Sequence, residues 1–248
     1  MIVHAEVHGE GTPVLFLHGA GVAGWIWRQA ASEVRDARDG LQTIAVDLPG
    51  FGRSAESTYP GADATVAELT ELIRDRGPAV VVGFSLGSQL ALRLASLAPD
   101  LVRGLVWISG ETRPTPFPWA TGVGAGAAAA LGRVPALASR QATQAGVPVP
   151  LRSEYLSDLR SMRVDSVRRS VDENQRFRAP VTIDRYHGPA VALAGSLERR
   201  IVRESADRLP ELIPGAAVEV VAGAKHHIPY RFPERVAAAT LGVLDADR

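Results

Sequence analysis

The 248-residue chain contains no cysteine. That absence excludes a disulfide framework, a thiolate metal site and a cysteine nucleophile, so any covalent catalysis has to use another side chain. An excess of charge of either sign is missing too: 27 basic residues balance 27 acidic ones, with no run of five like charges. The sequence therefore carries no electrostatic footprint for nucleic acid or for an anionic membrane. Lysine is nearly absent, Lys225 being the one example among the basic residues. No apolar run approaches the roughly 18 residues that a spanning helix needs. The segment Met1 to Gly9 alternates apolar and polar residues instead of showing the basic and then apolar pattern of a secretory signal. The expectation is a cytoplasmic protein. At 46% hydrophobic residues the chain can bury a single large core.

Short β-rich runs alternate with helical patterns over residues 1–110. Val14 to Leu17, Thr43 to Val46, Ala79 to Val82 and Leu105 to Ile108 are continuous apolar runs of the kind found in parallel strands covered on both faces. Helical spacing lies between them, near Trp27 to Asp36, Thr65 to Asp75 and Leu86 to Leu97. Residues 111–188 break this rhythm with a Pro-rich stretch, an Ala/Gly-rich stretch and a charged helical segment. The rhythm returns over residues 189–248, with strands at Ala190 to Ala194 and Ala217 to Val221 and helices near Val202 to Leu212 and Pro233 to Leu244. The pattern predicts an α/β fold: a mostly parallel central sheet of about seven or eight strands flanked by helices, interrupted by a mainly helical insertion. The insertion holds 11 arginines against 7 acidic residues, a net +4 that leaves −4 elsewhere and favours a substrate with an anionic group.

The strongest chemical signal is Gly83-Phe84-Ser85-Leu86-Gly87, which follows a strand and opens a helix. In such a tight turn a strained backbone pushes the serine hydroxyl out of the sheet. Serine is a weak nucleophile at its free pKa and needs a base. His226 lies beyond the strand Ala217 to Val221, at the sheet end where active sites of open α/β sheets gather, although its neighbour His227 leaves the register open. An acid should orient the imidazole. Glu198, after the strand ending at Gly195, keeps the order Ser, acid, His; Glu111, just past Gly110, is the rival, and a carboxylate in a charged loop is the bland alternative for Glu198. Oxyanion donors would be the amides of Leu86 and of Ala20 in the loop His18-Gly19-Ala20-Gly21. Trp25, Phe84, Phe117 and Trp119 are candidates for an apolar substrate wall.

These motifs together resemble those of the α/β-hydrolase family, in its cap-bearing serine hydrolase form. His18 to Gly21 looks like the oxyanion loop, Asp47-Leu48-Pro49-Gly50-Phe51-Gly52-Arg53-Ser54 like the D-x-P-G-x-G-x-S loop, Gly83 to Gly87 like the nucleophile elbow, and Gly223 to His226 like the turn carrying the histidine. Glu198 stands where the family usually has Asp, Lys225 departs from the usual turn, and Ser88 replaces a common second glycine. The resemblance implies a carboxylesterase-like enzyme that cleaves a carboxylic ester, lactone or thioester of a small molecule through an acyl-enzyme on Ser85. It also implies a cap formed by residues 111–188, and neither cofactor nor metal.

Two other readings compete. The same scaffold can serve a non-hydrolytic lyase or cyclase step on a natural-product-like substrate, because fold does not determine reaction. The spacing Gly19, Gly21, Gly24 is also a literal G-x-G-x-x-G after a strand, with Asp47 ending the next strand, as in an NAD(P)-binding loop. Against it, Trp25 and Trp27 are bulky where the phosphate-facing helix should start.

Overall fold

The computed structural model describes residues 4–246, so the first three positions of the alternating amino-terminal segment lie outside the described residues. The chain opens with β1 (His4–His8) and β2 (Thr12–Leu17). After a 3-10 turn (Gly24–Trp27) come α1 (Arg28–Ala37), β3 (Leu41–Asp47), α2 (Ala62–Arg74), β4 (Ala79–Phe84), α3 (Leu86–Leu97) and β5 (Val102–Ile108). The seven strands order as β1-β3-β2-β4-β5-β6-β7, where β6 is Ala190–Gly195 and β7 is Ala217–Val221. β1 runs antiparallel to β3 and every other pairing is parallel.

Right-handed crossovers place the helices. The chain moves one way along the sheet from β2 to β3, and the opposite way from β3 to β4 and from β4 to β5. α1 therefore covers one face while α2 and α3 cover the other. α11 (Pro233–Ala246) packs on α1 and on β5, and α3 packs on β2, β4 and β5. Every residue of β4 is buried, which is why its sequence is an unbroken apolar run, whereas β7 at the edge exposes Val218 and Val220. The expected helix from Val202 to Leu212 is two pieces, α8 (Arg200–Asp207) and α9 (Leu209–Leu212). Pro210 has no amide to continue the ladder, so the helix restarts around it.

Between β5 and β6 lie four helices: α4 (Pro118–Leu131), α5 (Pro135–Gln144), α6 (Arg152–Ser161) and α7 (Val164–Arg176). No strand occurs among the described residues of this segment. α4 lies tightly along α7 because glycine faces the contact. A methyl group on Gly122 would stand 2.9 Å from Asp172 Cβ and 3.0 Å from the Arg168 carbonyl oxygen. The segment is also tied to the sheet domain: both carboxylate oxygens of Glu173 on α7 accept the Ala62 amide that opens α2, at 3.1 and 3.0 Å. A short helix, α10 (Ile228–Arg231), precedes α11.

Candidate active site

β4 ends at Phe84 and α3 begins at Leu86, so Ser85 alone makes the turn, with φ 52° and ψ −112°. Only close packing around it holds a non-glycine residue there. A Cβ on Gly83 would come within 2.4 Å of the Gly87 carbonyl oxygen, and one on Gly87 within 2.1 Å of the Leu17 carbonyl oxygen. Both glycines are therefore steric requirements of the turn. The Ser85 amide donates to the Ile108 carbonyl at 2.9 Å, and Ser88, buried one turn on, donates its hydroxyl to the Ser85 carbonyl at 2.5 Å.

The loops after β6 and β7 bring two further groups to this serine. Ser85 Oγ lies 3.1 Å from His226 Nε2, and His226 Nδ1 lies 2.6 Å from Glu198 Oε1. If Nδ1 carries the ring proton, that nitrogen donates to the carboxylate and Nε2 is free to accept from the serine hydroxyl. The second oxygen of Glu198 accepts from the Ser109 hydroxyl at 3.0 Å and the Gly195 amide at 2.8 Å. Three donors thus offset the desolvation of a fully buried carboxylate. Ser109 was not legible as a site residue; its signal is its place one residue past β5, in the left-handed region at φ 53°.

Glu111 is not on the imidazole. It is buried, ion-paired with Arg199, and accepts from Gln175 Nε2 at 3.1 Å. Burial raises its pKa above the usual carboxylate range, opposed by the charges of Arg199 and His226. Gln89 Nε2 donates to the carbonyls of Glu111 and Asn174 at 3.2 and 3.1 Å, so this cluster fastens the end of α7 to the sheet. His227 stacks on Phe232 with ring centroids 6.0 Å apart, and His226 is the one of the pair in contact with Ser85. Lys225 is solvent-exposed.

The amide of Leu86 opens α3 and so lacks an intrahelical acceptor. Facing it is the loop after β2, which passes close enough that a Cβ on Gly19 would touch Ser85 Cβ at 3.2 Å. Ala20 of that loop lines the cavity over the serine. His18 holds the loop in place. Its Nε2 accepts the Leu48 amide at 2.9 Å, so Nδ1 carries the proton and donates to the Gly19 carbonyl at 2.7 Å. Burial holds this imidazole below its ordinary pKa, in the neutral form that this pairing needs.

The cavity above Ser85 has a volume of about 270 Å³. Its floor is Phe84, Ser85 and His226, and its walls come from α6, α7 and α10, among them Tyr155, Leu159, Val167, Val171 and Tyr230. Ala125, Ala128 and Ala129 of α4 close the top. No Asp, Glu, Lys or Arg side chain lines it among the described residues. The net positive charge of residues 111–188 is therefore not turned toward the serine, contrary to what the charge count suggests.

Of the four aromatic candidates only Phe84 reaches this cavity. Phe117 and Trp119 are 72% and 61% exposed on the outside of the molecule, because α4 turns Gly122 and Gly126 inward onto α7 and its aromatic end outward. Trp25 is buried one layer behind the wall, its ring centroid 6.5 Å from that of Tyr155 and 6.1 Å from that of Tyr230. Its indole N–H donates to Asp158 of α6 at 2.5 Å. Burial raises the Asp158 pKa from its ordinary 3.8 to about 7, against the stabilising indole hydrogen bond. A carboxyl whose folded pKa is raised makes folding less favourable as pH climbs from the unfolded value to the folded one. Asp158→Asn, which can still accept from Trp25, is therefore expected to gain stability over wild type progressively between about pH 4 and pH 7. The gain is of order 2–4 kcal/mol at neutral pH, read from thermal melts at several pH values.

The Gly19, Gly21, Gly24 loop does not present a nucleotide site. The Gly24 amide donates to Asp47 Oδ1 at 2.7 Å and the Arg53 amide donates to Asp47 Oδ2 at 2.9 Å, so both oxygens expected on a ribose are engaged in folding the loops. All four residues of the turn Gly24–Trp27 are buried.

Among known proteins, the chain is 34% identical over 122 residues to the pimeloyl-[acyl-carrier protein] methyl ester esterase of Nitrosomonas europaea, covering 47% of this chain and 46% of that one. It is 36% identical over 108 residues to lipase LipV of Mycobacterium tuberculosis, 42% of this chain and 40% of that one. The matched segments span under half the length of these relatives. Solved structures that share the fold include a bromoperoxidase from Bacillus anthracis, with TM-score 0.80, 19% identity and 98% and 95% of the two chains covered. A thermophilic esterase from Thermogutta terrifontis aligns with TM-score 0.78, 22% identity and 99% and 93% covered. Residues 14–239 match the model of the alpha/beta hydrolase family, and with the seven-stranded sheet and its turn-borne serine this chain belongs to that family.

Proposed function

We propose that the protein is a serine esterase that hydrolyses esters of small, uncharged acyl groups. The observation that carries this reading is the Ser85–His226–Glu198 chain of contacts at 3.1 and 2.6 Å, opening into a cavity without charged side chains. In this mechanism His226 takes the Ser85 proton as Oγ attacks the ester carbonyl, and Glu198 stabilises the imidazolium. The amides of Ala20 and Leu86 receive the oxyanion. His226 then returns the proton to the leaving alkoxide, the alcohol departs, and water activated by the same imidazole releases the acid from Ser85. The names of the relatives support ester cleavage as the reaction class.

The cavity limits the acyl group. At about 270 Å³ it falls just below the usual range of roughly 300–1,000 Å³ for ligand pockets. A carboxylate placed there would lose its hydration without a paired cation. The test is a series of 4-nitrophenyl esters of increasing chain length, run beside analogues that end in a carboxylate. The expected result is a maximum of kcat/KM at short to medium neutral chains, with the carboxylate-ended esters at least tenfold slower. Ala129→Leu, which fills the cavity roof, is expected to move the maximum to shorter chains while acetate ester turnover changes less than about threefold. Failure to hydrolyse any member of the series would overturn the reading.

A further inference from the structure

We propose that the outer face of α4, with the residues that flank it, docks on an anionic lipid surface. The helix Pro118–Leu131 contains no charged residue, and Thr121 is its one hydroxyl-bearing side chain. A helix with that composition is ordinarily buried. Here the inward side is satisfied by α7 and the cavity, while Trp119, Val123 and Leu131 stand exposed, joined by Phe117 before the helix and Val134 after it. Large apolar side chains gathered in this way mark an interaction surface.

Charge selects the occupant. Residues 112–153 include no Asp or Glu, and their charged residues are Arg113, Arg133, Arg140 and Arg152. Arg113 is ion-paired with Glu204; Arg133, which also donates to the Met162 carbonyl at 3.4 Å, is exposed between Leu131 and Val134, and Arg140 is exposed next to Gln141, whose amide donates to the Ala128 carbonyl of α4 at 2.9 Å. Two copies of this chain meeting through it would set these arginines against each other, while Asp172, the carboxylate of α7 that packs against Gly122, is already paired with Arg176, which disfavours a second copy. An anionic headgroup layer complements them, and tryptophan and phenylalanine at one end of an apolar helix suit the boundary between headgroups and acyl chains. The balanced charge of the whole sequence hides this local pattern. The inference does not depend on Ser85 being the nucleophile.

Trp119 is a built-in reporter, because Trp25, Trp27 and Trp107 are buried. The full chain is mixed with vesicles of phosphatidylcholine, or of phosphatidylcholine with phosphatidylglycerol, and followed by co-sedimentation and tryptophan emission. Binding to the anionic vesicles at least tenfold stronger than to the neutral ones, a blue shift of the emission and weakening by salt are expected. Trp119→Phe should keep the binding and lose the blue shift. Leu131→Asp should lose at least tenfold in binding, and the pair Arg133→Glu with Arg140→Glu severalfold, with thermal melts confirming that each is folded. Three results would overturn the proposal: no sedimentation with either vesicle; a blue shift without vesicles together with a doubled mass in light scattering, which assigns the face to a second copy; or binding to a purified acyl-carrier protein but not to vesicles.

Discussion

Replacing Ser85 with alanine is expected to lower kcat/KM for a short activated ester by on the order of 10,000-fold or more. The size of the loss follows from what remains. The oxyanion donors, the apolar cavity and His226 persist, so the variant binds the ester and polarises its carbonyl, but no protein oxygen attacks. Substrate binding should change little, because the hydroxyl replaced is half of one hydrogen bond, to His226. A loss of only a few-fold would place the chemistry elsewhere in the cavity.

The second large effect separates the two buried glutamates. Glu198→Gln is expected to lower kcat by roughly 1,000- to 10,000-fold, since an amide cannot stabilise the imidazolium and can hold His226 in the wrong tautomer. Glu111→Gln is expected to leave kcat within about tenfold of wild type. Its neighbours are Arg199 and Gln175, and its side chain makes no contact with the imidazole. Truncation to alanine should instead destabilise the fold by about 1–3 kcal/mol, because it leaves a cavity where the buried Glu111 side chain sat and removes one of the two acceptors of Gln175 Nε2. Steady-state rates on both glutamine variants, with a melt of Glu111→Ala, decide between the two carboxylates.

How far the site could be read in advance depended on how local each signal is. Gly83 to Gly87 is legible because the steric demands of the elbow fall within five residues, and the apolar strand before it sits in the same window. Glu198 and Glu111 are not separable by spacing, since both follow parallel strands. What separates them is the lateral arrangement of β4 to β7, which brings the loop after β6, and not the end of β5, under His226. The strands of the buried sheet are legible as apolar runs; the break at Pro210 is not, because the helical spacing continues through it. The aromatic candidates show the opposite limit. Nothing in the sequence around Phe117 and Trp119 says which way α4 faces, because that is decided by Gly122 and Gly126 against Arg168 and Asp172, some fifty residues on. The tie from Glu173 to the start of α2 is equally invisible without the fold.

The reading proposed above makes Ser85 Oγ the nucleophile. Treating the protein with a fluorophosphonate, which phosphonylates an activated serine, and mapping the product by peptide mass spectrometry tests it most directly. One stoichiometric adduct is expected on the peptide containing Ser85, formed in step with loss of esterase activity, absent from Ser85→Ala and greatly slowed in His226→Ala. An adduct on another residue, or full inactivation with Ser85 unmodified, would contradict it.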